Sequence, residues 1–183
     1  AAVFAAPVVF FVQNNKYAIS VPLARQSVAP SLAAKAIGYG MPGVRVDGND
    51  LPALEKVLGE AVARARAGDG PTLVEADTYR IESHTNADDA TRYRADDEVT
   101  EWLPRDPLLR VRTYLTAVGA LDDDREREIT AAAEEMAAAV RAGVGAETVV
   151  DPEELFTHVH STLTPQLVEQ RAVLRAELEL EEA

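Results

Sequence analysis

The stretch PVVFFVQNNKY, residues 7–17, decides the fold of this chain. Residues 8–12 form an uninterrupted run of β-favouring apolar side chains, which predicts a strand buried on both faces of a parallel sheet. The polar residues 13–17 follow the carboxyl end of that strand, where open α/β sheets bind their ligands. One short stretch therefore predicts both a parallel sheet and a binding site at its edge.

The segments that follow alternate between helix and strand. A helix capped by Ser31 ends at the glycines of residues 38–43, and a short strand is predicted at 44–46. A second helix begins at Asp50, where apolar residues recur at helical spacing, and residues 72–76 form the next strand. This order indicates an α/β fold with an open parallel sheet and right-handed crossovers.

The pattern changes after Tyr79. Residues 80–104 are polar and lack periodicity, and so long a loop in a compact domain is functional or disordered. Helices are then predicted at 108–118, at 122 to about 141 and at 151 to about 180, with Asp122 and Asp151 as caps. We therefore predict an α/β domain at 1–104, including the loop at 80–104, and an acidic helical C-terminal extension at 105–183.

Composition excludes several classes of protein. The chain has 183 residues, is 47% hydrophobic and carries a net charge of −13, all of it within residues 95–183. Such an acidic surface repels phosphate backbones, so we expect no nucleic-acid partner. We expect no membrane partner, because no apolar run is long enough to cross a bilayer. The absence of cysteine favours the cytoplasm, and the start at Ala1 without methionine indicates a fragment.

Two glycine motifs are misleading. Residues 38–43 spell G-x-G-x-x-G, but a dinucleotide site needs this motif after a strand and before a helix, and here the order is reversed. A nicotinamide-dependent dehydrogenase is therefore disfavoured. Residues 68–70 spell G-D-G between a helix and a strand, where they predict a turn.

Two polar clusters follow predicted strand ends and would face one crevice. In the first, Asn14 and Asn15 offer neutral oxygen ligands that suit Mg²⁺, with Lys16 nearby for phosphate charge, although asparagine also forms turns. In the second, residues 79–94 include His84, the only histidine of the α/β half, which can hydrogen-bond a reacting oxygen. A solvated surface loop is the alternative for this second cluster.

Both clusters resemble one family. Residues 14–20 and 79–94 are similar to the α subunit of the thiamine-diphosphate-dependent decarboxylase component of 2-oxo acid dehydrogenase complexes. The resemblance continues through 46–50, Asp106-Pro107, Tyr114-Leu115, Leu155-Phe156 and 165–167, so it spans nearly the whole chain. It implies the thiamine-diphosphate-binding fold, present here in part, with the family's own G-D-G upstream of Ala1.

The resemblance implies a role for each residue of the two clusters. Asn15 would bind Mg²⁺ through its side chain and Tyr17 through its backbone carbonyl, and the metal would hold the diphosphate of the cofactor. His84 would be the catalytic histidine and would contact the cofactor. Thr85 would occupy a regulatory position. The residues that would order the loop for docking of a lipoyl domain are Arg80, Asp88, Tyr93 and Arg94.

The resemblance also implies partners and a reaction. The α subunit would form an α2β2 heterotetramer with a β subunit and pass the acyl group of a 2-oxo acid to the lipoyl-lysine of an acyltransferase core. The likeness at 17–20 and in the C-terminal region favours a branched-chain 2-oxo acid of the 3-methyl-2-oxobutanoate type, with pyruvate as the alternative. A catalytically inactive interaction module is the alternative from another class.

Overall fold

The computed structural model of the chain describes residues 1–145 and 150–181. The strands are β1 (Val9–Asn14), β2 (Tyr17–Ala18), β3 (Val21–Pro22), β4 (Gly43–Asp47) and β5 (Thr72–Asp77). The α-helices are α1 (Leu51–Arg66), α2 (Asp96–Trp102), α3 (Pro107–Ala117), α4 (Asp123–Gly145), α5 (Glu154–Thr157) and α6 (Pro165–Glu181). Short 3-10 helices span Ala2–Phe4, Leu23–Arg25, Ala33–Tyr39, Ala90–Arg92 and Leu103–Arg105.

A parallel sheet with the strand order β1-β5-β4 forms the centre of the α/β part. Asn14 of β1 and Asp47 of β4 both pair with Asp77 of β5, so the three strands end at the same edge. Helix α1 packs on the sheet around Val74, and the Asp50 carboxylate caps α1 by accepting from the Ala53 N–H at 3.0 Å. The predicted α/β class with a parallel sheet is confirmed.

Strand β1 forms where the apolar run predicts it, but its predicted burial on both faces is wrong. The Phe10 and Phe11 side chains are 40% and 48% exposed. Within the described part of the chain, β1 pairs in the sheet with β5 alone and is an edge strand. The most buried strand is β5, in which Val74 and Ala76 are 0% and 1% exposed.

Both glycine motifs occupy the local structures expected of them. Gly40 ends the Ala33–Tyr39 helix in the left-handed conformation, with φ of 70°. Gly43 lies so close to that helix that a Cβ atom there would be 2.1 Å from the Ala33 carbonyl oxygen. Residues 68–70 turn from α1 into β5. The helix-then-strand order around residues 38–43 and the turn at residues 68–70 agree with these predictions.

The predicted loop at 80–104 contains more regular structure than the sequence indicates. Helix α2 and the 3-10 helices Ala90–Arg92 and Leu103–Arg105 lie inside or across its end. Helix α2 has only 7 residues, too few to show a hydrophobic period. Its first turn holds Asp96, Asp97 and Glu98, which favour the positive end of the helix dipole.

The C-terminal part is helical, as predicted, with one correction. Helices α3 and α4 form as expected, but the single helix predicted from Asp151 to about residue 180 is divided into α5 and α6. Pro165 explains the break, because proline starts a helix readily but disrupts a helix interior. The Thr164 hydroxyl accepts from the Leu167 N–H at 3.3 Å and so helps to start α6.

The chain forms two compact units, residues 1–126 and 127–183, whereas the sequence predicts a boundary at 104/105. Arg110 of α3 accounts for part of the difference, since it donates to Asp47 at 2.8 Å and to Asp50 at 3.0 Å within the first unit. Residues 146–149 and 182–183 of the predicted extension lie outside the described residues. Among the helices described, none has the length and apolar character needed to cross a bilayer.

Candidate functional site

The turn that follows β1 is built by its own side chains. The Asn14 side-chain oxygen accepts from the Lys16 N–H at 3.2 Å, and the Asn15 side-chain oxygen accepts from the Tyr17 N–H at 3.1 Å. Lys16 has a positive φ of 74°, which allows the chain to reverse between the two bonds. The asparagines therefore act as turn formers, and the same bonds bring the Asn15 oxygen beside the Tyr17 backbone.

A cavity of about 210 Å³ lies against this turn. Its lining is mainly polar and comprises residues 13–17 together with Leu23, Gln26, Ser27, Leu32 and Lys35. Amide oxygens and two lysines thus surround one space, a combination that suits an anionic ligand with a hard cation.

A buried polar network fixes the turn from below. The Asn14 side-chain amide donates to one oxygen of Glu75 at 2.7 Å, and the Ala33 N–H donates to the other at 2.8 Å. Asn14 is 6% exposed and Glu75 1%. Sequence analysis missed Glu75, although an acidic residue between the apolar Val74 and Ala76 of strand β5 was a usable signal.

Lys16 is held at the strand ends and does not project freely into the cavity. Its ammonium group pairs with one oxygen of Asp77, and Arg45 donates to the other oxygen of Asp77 at 2.7 Å. Burial and the neighbouring Arg45 lower the pKa of Lys16. The charge that the sequence assigned to a phosphate is therefore partly neutralised within the protein.

Tyr17 links the turn to helix α2. Its hydroxyl donates to the two carboxylate oxygens of Glu98 at 3.0 and 2.9 Å. Burial and the Glu98 carboxylate raise the pKa of Tyr17 above its ordinary value of 10.0, so the phenol stays neutral and remains a donor. Trp102, at the end of α2, stacks on Tyr79 with 5.3 Å between ring centroids. Sequence analysis missed Glu98 and Trp102 because they lie in the segment interpreted as a loop.

Arg80 connects the turn to the loop that follows β5. Its backbone N–H donates to the Asn15 carbonyl at 3.2 Å. Its guanidinium donates to the Ile19 carbonyl at 2.7 Å and to the Tyr93 hydroxyl at 2.8 Å. The guanidinium also lies 5.7 Å from the ring centroid of Tyr17, a favourable cation–π distance.

Asp88 continues the same chain of contacts. Its carboxylate accepts from the Tyr93 hydroxyl at 2.5 Å and from the His84 backbone N–H at 2.8 Å. The Tyr93 hydrogen bond is the main cause that lowers the pKa of Asp88, and the same bond raises the pKa of Tyr93. The Asp88 N–H in turn donates to the Thr85 carbonyl at 3.1 Å, which closes the turn at 84–88.

All the predicted site residues belong to one contact network, some through their side chains and others through their backbones. Side chains of Tyr17, Arg80, Asp88 and Tyr93 touch one another, and Arg94 donates to the backbone carbonyls of Arg80 and Ile81. His84 and Thr85 enter through their backbones, and both residues are exposed. The network therefore orients the His84 segment and leaves the imidazole accessible.

The donor set suits part of a Mg²⁺ site. Asn15 offers a carboxamide oxygen with a second lone pair beyond the one used by Tyr17. The cross-strand partner of Tyr17 is Pro22, which has no N–H to donate to the Tyr17 carbonyl. Two neutral oxygens are hard ligands that Mg²⁺ accepts, and its other positions would be filled by water, phosphate or further residues. No cluster of three or more His, Asp or Glu suited to a metal occurs in the described ranges 1–145 and 150–181.

Comparison with known proteins identifies the family. Residues 1–149 match the family described as Dehydrogenase E1 component. The chain belongs to the dehydrogenase E1 component family. It is 54% identical over 178 residues, 97% of its length, to the 3-methyl-2-oxobutanoate dehydrogenase subunit alpha of Mycobacterium tuberculosis. It is 48% identical over 143 residues, 77% of its length, to the pyruvate dehydrogenase E1 component subunit alpha of Staphylococcus epidermidis.

The resemblance stated from the sequence is thereby confirmed at the level of the family. The chain spans 48% of the mycobacterial relative and 39% of the staphylococcal one, about half or less of these proteins.

Proposed function

We propose that the chain belongs to the α subunit of a thiamine-diphosphate-dependent 2-oxo acid dehydrogenase that acts on a branched-chain 2-oxo acid of the 3-methyl-2-oxobutanoate type. The observation that carries this proposal is the pairing of two strand ends. The Asn15–Tyr17 turn after β1 and the His84 loop after β5 are joined through Arg80. The proposed cofactor-binding turn and the exposed His84 segment thereby belong to one network of contacts.

The turn would hold the metal and the diphosphate. Asn15 would bind Mg²⁺ through its side-chain oxygen and Tyr17 through its carbonyl oxygen, next to the cavity of about 210 Å³. Lys35 lies in the lining of the same cavity and would add positive charge toward the diphosphate, whereas the Lys16 ammonium is paired with Asp77. The buried hydrogen bonds of Glu75 would keep the turn that carries these oxygens in one conformation.

Thiamine diphosphate, when bound, supplies the electron sink that decarboxylation of a 2-oxo acid needs. The residues of this chain would then orient the cofactor and the substrate and move protons. His84 would hold or deliver a proton at its imidazole, because the ring is accessible while its backbone is tied to Asp88 at 2.8 Å. This division of roles needs no protein nucleophile.

The loop would also receive the lipoyl domain of the acyltransferase. Arg80, Asp88, Tyr93 and Arg94 maintain the loop by mutual hydrogen bonds, which gives an incoming domain an ordered surface. Thr85 is exposed one residue after His84, and a phosphate there would add negative charge beside the Asp88 carboxylate. We propose Thr85 as a regulatory position on this ground.

The assembly would be an α2β2 heterotetramer with a β subunit, bound to the lipoylated acyltransferase core in the cytoplasm. The cysteine-free sequence supports a reducing compartment. Pyruvate is the second candidate substrate, because the staphylococcal pyruvate dehydrogenase subunits are 48–50% identical over the part of the chain that they match.

Calorimetric titration of thiamine diphosphate with Mg²⁺ tests the proposal. The subunit that carries this sequence would be co-expressed with its β subunit, and the Asn15→Ala variant compared with Asn49→Ala, an asparagine in the turn after β4. We expect saturable binding for the wild type and Asn49→Ala, and a loss of at least about tenfold in affinity for Asn15→Ala. Absence of binding to the intact wild-type complex would contradict the proposal and favour the interaction module.

A further inference from the structure

Among the described residues of the sheet, Glu75 is the most deeply buried residue of a charged type. Stability alone does not explain its presence. It is 1% exposed on the central strand β5, between Val74 and Ala76, which are 0% and 1% exposed. Burying a carboxylate is costly unless hydrogen bonds compensate it, and an apolar side chain of similar volume would serve the sheet equally well or better.

The hydrogen bonds of Glu75 have a defined direction. One carboxylate oxygen accepts from the Asn14 side-chain amide at 2.7 Å, and the other accepts from the Ala33 N–H at 2.8 Å. Because the Asn14 amide nitrogen must face Glu75, the Asn14 side-chain oxygen faces the Lys16 N–H, 3.2 Å away. Glu75 therefore selects one of the two flipped orientations of the Asn14 carboxamide.

That orientation matters because of what Lys16 requires. Lys16 has a φ of 74°, a conformation unfavourable for a residue with a side chain, and its backbone N–H is bonded to Asn14. The next bond along the chain, from the Tyr17 N–H to the Asn15 side chain, depends on the same reversal. In the opposite orientation, the Asn14 carboxamide would present its NH2 group to the Lys16 N–H. Two hydrogen-bond donors would then face each other, which would oppose the backbone reversal at Lys16.

We propose that Glu75 is a positioning residue for the metal-binding turn: through Asn14 it sets the backbone reversal at Lys16 that brings the Asn15 oxygen and the Tyr17 carbonyl together. This inference rests on the proposed function of that turn. It adds a residue that contacts neither metal nor cofactor and acts only through Asn14.

Glu75→Gln is the first test, because the shape is retained and one acceptor becomes a donor. Whichever way the new amide turns, its NH2 group faces either the Asn14 amide or the Ala33 N–H, so one hydrogen bond is lost and two donors oppose each other. We expect the Mg²⁺ concentration that gives half-maximal thiamine diphosphate binding to the α2β2 complex to rise about tenfold or more.

A reciprocal exchange separates positioning from general damage. In the double variant Asn14→Asp/Glu75→Gln, the new amide donates to the new carboxylate and accepts from the Ala33 N–H. The new carboxylate accepts from the Lys16 N–H, so all three bonds return with the central one reversed. We expect the double variant to return to within about threefold of the wild-type Mg²⁺ requirement, whereas Asn14→Asp alone faces Glu75 with a second carboxylate and fails.

Val74→Ala is the matched control, since Val74 neighbours Glu75 but belongs to the apolar cluster around Val46. It lowers stability by creating a cavity and should leave the Mg²⁺ requirement unchanged in the folded complex. A wild-type Mg²⁺ requirement in Glu75→Gln would overturn the inference, as would a double variant no better than the single ones. If the single variants do not assemble, the double variant decides alone. If the wild type itself shows no Mg²⁺-dependent binding, the proposed function fails instead.

Discussion

The turn after β1 and the loop after β5 lie at the same edge of the sheet but are held by different kinds of bond. The turn is anchored by buried groups, with Asn14 6% and Glu75 1% exposed. The His84 loop is held near the surface, by Asp88, Tyr93 and Arg80. Buried bonds are costly to break, whereas exposed ones exchange readily with water. Under the proposed function, this difference predicts that the turn holds the cofactor in place and that the loop adjusts its contacts during turnover.

The largest effect is expected from breaking the buried anchor. Asn14→Ala leaves the Glu75 carboxylate with one of its two donors and no access to water, so we expect a loss of about 3 kcal/mol in the free energy of unfolding. Chemical denaturation of the variant complex measures it. Asn49→Ala, outside the network, is the control, and equal midpoints for the two variants would contradict the proposed difference between buried and exposed bonds.

A smaller, local effect is expected when the loop is acidified. The pKa of Asp88 is lowered from its ordinary 3.8 by the Tyr93 hydroxyl and the His84 N–H, so the folded loop favours the carboxylate. Its stabilisation is therefore present above about pH 4 and is lost as the pH falls through the lowered pKa.

Hydrogen exchange at the His84 amide, corrected for its intrinsic pH dependence, measures this effect. We expect constant protection from neutrality down to about pH 4 and loss below it. Asp88→Asn should remove the pH dependence of that protection, while exchange in β5 stays unchanged. A protection profile identical in wild type and variant would show that Asp88 does not hold the loop.

The smallest effect is expected from Tyr93→Phe. This change removes the hydroxyl that lies between Arg80 and Asp88 but keeps the ring that packs 5.8 Å from the Tyr17 ring. We expect the rate of lipoyl-domain acylation to fall about threefold with unchanged cofactor affinity, because two part-buried hydrogen bonds near the protein surface are lost. Tyr114→Phe, an exposed tyrosine of α3, should leave both quantities at their wild-type values.

Local signals in the sequence predicted much of the fold. The apolar run at residues 8–12, the Asp50 cap and the glycine turns each depend on neighbours in sequence, and each element formed where expected. The exposure of Phe10 and Phe11 and the break before Pro165 were missed. The exposure of the two phenylalanines depends on which strands pair with β1. The helix break depends on whether Pro165 starts a new helix or lies inside one. Hydrophobic periodicity decides neither question.

The location of the candidate site was predictable from the sequence, because the carboxyl ends of parallel strands lie at one edge of a sheet. Asn15 and Arg80 were expected at one edge, and their backbones are bonded at 3.2 Å. The partners that hold them were not predicted, because Glu75 and Glu98 lie 61 and 81 residues from their partners Asn14 and Tyr17. Only the three-dimensional fold brings such pairs together.

The central claim is that the turn after β1 binds the cofactor and that the His84 loop is needed for turnover. It is tested most directly by measuring thiamine diphosphate affinity and lipoyl-domain acylation together in the α2β2 complex, for Asn15→Ala and His84→Ala. We predict that Asn15→Ala loses both, whereas His84→Ala binds the cofactor within about threefold of wild type and loses acylation by at least about a hundredfold. Wild-type acylation in His84→Ala, or full cofactor affinity in Asn15→Ala, would contradict the account.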